Sequence, residues 1–361
     1  MPASAIRKLV PYSDAAAAQG VKVYHLNSGA PDIASPDCVK QALAQRCANF
    51  HHLSYTNSAG LLELRQGLIE KYYRKVGIEL ELPELIVEVA GSEAFSVAME
   101  IATDPGDEII VIEPFYTNYQ TFAYLHNITL KAVHTGIHDD FRIPDISEFE
   151  KLLTPRTRAV LISDEVYREF TYTDAPHFSA MNLPGCEQNV ILVDSVSKRY
   201  NLCGARVGCI ASHNKDVMAA AVKFAQSRLC PPVLGQYAAI AALDTPDEYF
   251  AQVRQEYIRR RDFTVARLNE MEGVYSPMPY GAFYAMAELP VDDAEAFCKW
   301  LLTEFRVKGE TTMMTPVRSF YKTPGEGINQ VRIAYVLEVP EMKKALDILE
   351  EGLRAYPGRT I

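Results

Sequence analysis

Between residues 85 and 162 the chain alternates short runs of branched apolar residues with longer stretches of helical spacing. Residues 85–89, 108–112, 128–133 and 159–162 have the length and composition of strands. Residues 92–102, 117–125 and 145–153 repeat apolar side chains at three- and four-residue intervals, as helices covering a sheet do. Parallel strands need long crossovers, and helices supply them, so the alternation commits the chain to a mostly parallel sheet covered on both faces. Strands at 190–194 and 206–211 extend it.

The flanks read differently. Residues 1–30 look like an arm. Ser35-Pro36 is a cap-and-first-turn signal for a helix reaching about residue 48, and 58–76 reads as one helix closed by Gly77. Beyond about Asn214 the pattern turns helical, with one long helix over 246–271. A strand at 281–287, a helix at 293–305, a strand at 331–336 and a terminal helix at 340–354 follow. That closing pattern is α+β. The expected fold is therefore α/β, a large domain over 31–262 with a mostly parallel sheet, and a smaller α+β domain built from 1–30 and 263–361.

A chain of 361 residues can bury a large core of this kind. Its formal net charge of −10 argues against nucleic acid as a partner, because phosphate backbones need a basic surface. No apolar run is long enough for a membrane span. The seven cysteines show neither disulfide pairing nor metal spacing. With no signal peptide apparent, a cytoplasmic protein without a metal site is expected.

Ligands of open α/β sheets bind beyond the carboxyl ends of the strands. There the 190–194 strand runs into Asp194-Ser195-Val196-Ser197-Lys198, with Arg206 eight residues on. A lysine partly desolvated beside another cation becomes a usable amine nucleophile. Ser195, Ser197 and Arg206 offer donors and charge for a phosphate. A Schiff-base lysine beside a phosphate cup is what pyridoxal 5'-phosphate (PLP) requires. Most strand-end lysines are only solvated surface groups.

The order Ser-x-Ser-Lys-x₇-Arg resembles the active-site segment of the class I aminotransferases, fold type I enzymes that depend on PLP. The likeness to bacterial aspartate aminotransferase-like members spans nearly the whole chain, including Gly-Ala-Phe-Tyr at 281–284 and Phe-Tyr-Lys-Thr-Pro-Gly at 320–325. Further residues then acquire expected roles. Asp164, by itself readable as a helix cap, would hold the pyridine nitrogen, and Tyr167 the phenolic oxygen. Gly91, Ser92, Glu93 and Ala94, by themselves a capping turn, would bind the phosphate at a helix N-terminus. Tyr116, otherwise a packing aromatic, would stack on the ring. Tyr55 would reach the phosphate of a neighbouring subunit, making a homodimer with shared sites. Arg332 alternates with apolar residues and needs a partner for its charge. An internal salt bridge and a substrate carboxylate fit that need equally, and the resemblance favours the carboxylate, backed by Gly29.

One element of the family is missing. Its Asn-Pro-Thr-Gly motif, with a strand–helix unit of about thirty residues, should follow the 159–162 strand, and its asparagine would contact both cofactor oxygen and substrate carboxylate. Here Ile162 is followed directly by Ser163-Asp164. Both flanks are intact, so the expectation is a segment standing between Ile162 and Ser163, with their Cα atoms farther apart than bonded neighbours. A true absence would leave a PLP-binding protein of impaired activity. The resemblance implies transfer of an amino group from an aspartate-like or aromatic L-amino acid to a 2-keto acid such as 2-oxoglutarate. A β-eliminating lyase is the alternative on the same fold.

Overall fold

The computed structural model describes residues 7–49 and 51–361. Its strands are β1 (Lys22–His25), β2 (Leu85–Glu88), β3 (Glu108–Glu113), β4 (Thr129–His134), β5 (Leu161–Asp164), β6 (Val190–Ser195), β7 (Gly208–Ala211), β8 (Tyr284–Glu288), β9 (Glu310–Met313), β10 (Thr315–Pro316) and β11 (Gln330–Ala334). The helices are α1 (Val10–Ala18), α2 (Asp37–Asn49), α3 (Leu62–Gly67), α4 (Ala90–Ala102), α5 (Asn118–Leu125), α6 (Ile146–Glu150), α7 (Val196–Arg199), α8 (Lys215–Arg228), α9 (Val233–Ala242), α10 (Asp247–Asn269), α11 (Ala294–Thr303) and α12 (Val339–Ala355). No helix among the described residues is long and apolar enough to cross a membrane.

The alternating pattern forms the expected layers. Leu85, Val87, Leu192 and Cys209 enter one core cluster, while Ile86, Ile191, Val193 and Ile210 enter another. Successive strand residues point to opposite faces, so the clusters are the two sides of one sheet, and both are covered. A third cluster joins β8, β11, α11 and α12 to Tyr257, Val265 and Leu268 of α10.

Two expectations fail locally. The 58–76 stretch is not one α-helix: after α3 the chain winds through a π-helical segment, Leu68–Tyr73, and a 3₁₀ turn, Arg74–Val76. The helix expected to open at Pro36 begins at Asp37, and the Ser35 hydroxyl donates to Asn201 O at 2.8 Å. The described part of 1–30 is more than an arm, because β1 pairs in parallel with β9 and so belongs to the α+β region.

The largest departure concerns the sheet. It is not continuous: a four-stranded piece runs β2-β7-β6-β5, and a separate two-stranded piece runs β3-β4. Within the larger piece β7 is antiparallel to its neighbours, and β5 and β6 are parallel. β5 runs unbroken through Ile162 and Ser163, paired residue for residue with Ile191 and Leu192. The expected separation at that junction is therefore wrong, and the strand–helix unit is absent from the chain. Residues 156–158 first clasp β3, with Glu108 N donating to Arg156 O and Arg158 N to Glu108 O. The chain then crosses to β6 and becomes β5. One short segment thus touches both sheet pieces and closes the gap only at the start of β3.

The gap has a measurable consequence. Asp107 O and Glu113 O accept from Thr129 N and Thr135 N, so the odd-numbered residues of β3 face β4. By alternation the amides of Ile110 and Ile112 face the gap. Glu165 N donates to Val193 O, which by the same parity turns Ile162 and Asp164 of β5 toward it. Leu161 and Ile112 are correspondingly exposed, at 46% and 36%. In hydrogen exchange read by NMR, the amides of Ile110, Ile112 and Ile162 should exchange on the order of a hundredfold faster than those of Ile191 and Val193 in β6. Equal protection would show that the gap is closed in solution.

Candidate active site

The site lies where β5 and β6 end and α4 begins. Ser195 N-caps α7, its side chain accepting from Ser197 N. The short helix presents adjacent side chains to different sides. Arg199 turns inward, 1% exposed along its side chain, pairing with Asp194 at 2.5 Å and Glu169 at 2.9 Å. Its guanidinium lies 3.4 Å above the Tyr72 ring. That buried pair anchors the helix, and Lys198 emerges on the other side. Its Nζ donates to Gly29 O at 2.8 Å and stands 5.8 Å from the centre of the Phe283 ring. Among the described residues no carboxylate pairs with Lys198, in contrast to most lysines at a protein surface.

The floor of the site depends on glycines. A Cβ on Gly208 would stand 2.5 Å from the carbonyl carbon of Ala90 and 2.8 Å from Asp194 O. Its absence lets β7 pass directly beneath the start of α4. A Cβ on Gly91 would touch Ser195 Cβ at 3.7 Å, so the N-terminus of α4 abuts the lysine segment. No side chain N-caps α4. The Gly91-Ser92-Glu93-Ala94 turn therefore offers first-turn amides beside Ser195, as an anion requires. The Glu93 carboxylate accepts from Val89 N at 2.6 Å and from Arg228 at 2.6 Å. Only its backbone is left for an anion. Arg206 is exposed, with φ of 53°, and its Nη1 donates to Cys203 O at 3.2 Å.

Two neighbouring carboxylates at the end of β5 are driven apart. Burial pushes Asp164 up to about 6, against the hydrogen bonds from Tyr119 and Val166 N that pull it down. The residue is open along the free edge of β5, but its carboxyl is crowded, with Tyr119 Oη donating at 2.8 Å. Glu165 is also buried, yet His177, Arg168 and Ala180 N hold it down to about 2. Among the described residues no cation pairs with Asp164, whereas Glu165 already has Arg168 at 2.5 Å.

Arg332 is 9% exposed in β11, and among the described residues it has no acidic partner. Its Nη2 reaches Asn27 O only at 3.3 Å, and its Nε is buried without a partner. The internal salt bridge is thereby excluded. Its guanidinium lies 4.2 Å from the centre of the Tyr284 ring. Tyr284 Oη is 2.9 Å from Tyr167 Oη, and a Cβ on Gly29 would overlap that hydroxyl. Tyr167, Gly29, Lys198 and Arg332 therefore converge around Tyr284, which the sequence reading did not single out. It also passed over Tyr119; Tyr284 ends the quoted Gly-Ala-Phe-Tyr, and Tyr119 lies in the first turn of α5.

Tyr116 is 39% exposed, edge-on to Tyr119 at 5.7 Å. Tyr55 is 78% exposed.

The arrangement has a cation-seeking carboxyl, an uncapped helix N-terminus beside hydroxyls, and a carboxylate-seeking arginine. These fit an anionic, aromatic cofactor carrying a ring cation, together with a substrate carboxylate. Comparison with known proteins agrees. The family described as aminotransferase class I and II matches residues 21–155 and 142–349. An aspartate aminotransferase of Thermotoga maritima is 28% identical, covering 98% of both chains. That alignment extends over 386 residues against the 361 available here, so at least 25 of its positions face a gap in this chain. Among solved structures, an alanine aminotransferase from Pyrococcus furiosus superposes with a TM-score of 0.88 at 27% identity, covering 98% of each chain. Thermus thermophilus aspartate aminotransferase with maleate gives 0.87 at 26%, covering 98% of this chain and 97% of the other.

Proposed function

This chain belongs to the class I and II aminotransferases, fold type I, and from that premise we propose that it is an amino-acid aminotransferase using pyridoxal 5'-phosphate. The observation that carries the reading is Arg332, a buried cation with no acidic partner, gathered around Tyr284 with Gly29, which Lys198 clasps. When bound, the cofactor supplies an electron sink for the bonds at the substrate's Cα.

The protein's own groups do the rest. Arg332 receives the α-carboxylate of an L-amino acid or 2-keto acid. Lys198 Nζ anchors the cofactor, then takes the proton from Cα and returns it on the other side of the transfer. Asp164 opposes the ring cation and Tyr167 holds the phenolic oxygen. The amides from Gly91 to Ala94, with Ser195 and Arg206, hold the phosphate, and Tyr116 covers the ring face. Tyr55, so exposed in one chain, serves the twin site of a homodimer. The large domain is 31–262, and the smaller α+β domain takes in 263–361 with the described part of 1–30. Seven free cysteines suit the reducing cytoplasm. Names among the relatives favour an aspartate-like donor.

The test is a two-substrate assay. Aspartate and 2-oxoglutarate should give glutamate with ping-pong kinetics. With cysteine, whose thiol is a β-leaving group, release of sulfide, ammonia and pyruvate without an acceptor requirement would instead indicate a lyase. The gap in the sheet favours a second reading, a cofactor-binding protein of impaired activity; cofactor binding without turnover of any amino acid would establish it.

Asp164 gives a pH dependence. Its folded pKa of about 6 lies above the ordinary 3.8, so this carboxyl costs stability as pH rises from 3.8 to about 6, and above that range both folded and unfolded states are ionised. Pairing with a ring cation needs the ionised form. Cofactor affinity should therefore rise roughly tenfold between pH 5 and pH 7 as the carboxyl ionises. Asp164→Asn should flatten that profile in a fluorescence titration. The same slope in the variant would remove Asp164 from the cofactor's partners.

A further inference from the structure

We propose that Tyr284 is the positioning residue that couples the two halves of the site: its ring seats Arg332 for the substrate carboxylate, and its hydroxyl orients the proton of Tyr167. The proposal builds on the aminotransferase reading and adds a residue to it. Three contacts meet on this one side chain. The guanidinium of Arg332 lies 4.2 Å from the ring centre, so a charge without an acidic partner is held on a π face. Phe320, at 5.3 Å from the same guanidinium, supplies a second, more distant ring. The hydroxyl is 2.9 Å from that of Tyr167. Gly29 leaves room for the hydroxyl, and its carbonyl accepts from Lys198 Nζ at 2.8 Å.

The chemistry of each end differs. In a hydroxyl pair only one proton lies between the oxygens at a time. With Tyr284 donating, the proton of Tyr167 is free to point at a cofactor oxygen, and the accepted bond makes it a stronger donor. Burial, reinforced by the neighbouring Tyr284, pushes Tyr167 well above the usual tyrosine range, so it acts as a neutral donor. The ring end is independent of that proton. The ring holds the guanidinium from one side and engages none of its N–H groups in an ion pair, which leaves the planar fork for a carboxylate. Tyr284 stands at the start of β8, opposite Ala334 at the end of β11, so both strands hold it.

Removing the hydroxyl and removing the ring should have separable effects. Succinate binding to the cofactor-free protein, measured by calorimetry, should be unchanged within about twofold in Tyr284→Phe and weakened about tenfold in Tyr284→Leu. The visible absorption band of the PLP-loaded protein reads the other end. Its pH midpoint should rise by about half a unit or more in Tyr284→Phe, because Tyr167 loses its donor. In amino-acid turnover, Tyr284→Phe should lower kcat with little change in KM, while Tyr284→Leu should also raise KM. Succinate affinity unaltered by Tyr284→Leu, or a pH midpoint unmoved by Tyr284→Phe, would overturn the proposal. If the wild-type protein takes up no PLP, the cofactor reading fails and the Tyr167 half with it; the succinate measurement still decides the Arg332 half.

Discussion

Lys198→Ala should lower amino-group transfer by about 10⁴-fold or more, the upper range for loss of a positioned general acid–base. The size follows from the surroundings of Nζ. The lysine is half-buried and held by Gly29 O at 2.8 Å rather than by a carboxylate, so its amine is not committed to an ion pair. Nothing nearby replaces it: Cys203 Sγ, at 3.8 Å, is held by its own bond to Ser197 O at 3.2 Å. The fold should survive, since α7 is anchored by Arg199, Asp194 and Glu169 rather than by the lysine. Two measurements check this. Borohydride treatment of the loaded wild type should leave the cofactor on the peptide containing Lys198, and the variant should carry none. A variant that keeps an unchanged visible band with PLP would place the covalent attachment elsewhere.

The order of elements was legible because short strands and helices alternate with periods that differ, two residues against 3.6. What periodicity cannot show is which strands pair. β1 joins β9, some 288 residues away, and nothing local in 22–25 marks it. The π-helical turn at Leu68–Tyr73 keeps buried residues at nearly helical spacing, so 58–76 looks like one helix. The missing unit was visible, but its outcome was misjudged: two intact flanks suggested an intervening segment, whereas 156–164 bridges both sheet pieces by itself.

The site was partly legible in the same way. Lys198, Tyr167 and Gly29 follow the ends of β6, β5 and β1, whereas Arg332 sits in the middle of β11, and all four meet around Tyr284. Glu93 was expected to serve through its backbone, and its sequence position could not show that Arg228, 135 residues on, claims its carboxylate. Tyr119 and Tyr284 were missed for a related reason. An aromatic residue's packing and its polar work use opposite ends of one side chain, and sequence reports only the residue type. Phe95 stacks on the Tyr119 ring at 4.0 Å while the hydroxyl serves Asp164.

Arg332→Ala should raise KM for amino acids by roughly thirtyfold to several thousandfold, the equivalent of about 2–5 kcal/mol for truncating one partner of a buried charge pair. The free protein already bears much of the cost of burying this cation. Its exposure is 9%, its Nε has no partner, and its best backbone contact is 3.3 Å long. A bound carboxylate relieves that deficit, so the attraction is realised on binding rather than on folding. For the same reason the variant should fold at least as well as the wild type, apart from lost packing against Tyr284 and Phe320. An arginine kept for an internal salt bridge would behave in the opposite way, with a large loss of stability and little change in KM. Arg332→Lys should fall between, because a lysine restores charge without the planar fork that grips both carboxylate oxygens. Thermal melts beside steady-state kinetics with aspartate distinguish the cases. A KM unaltered in Arg332→Ala would mean that the substrate carboxylate is bound elsewhere, and that this buried charge is tolerated for its π contacts alone.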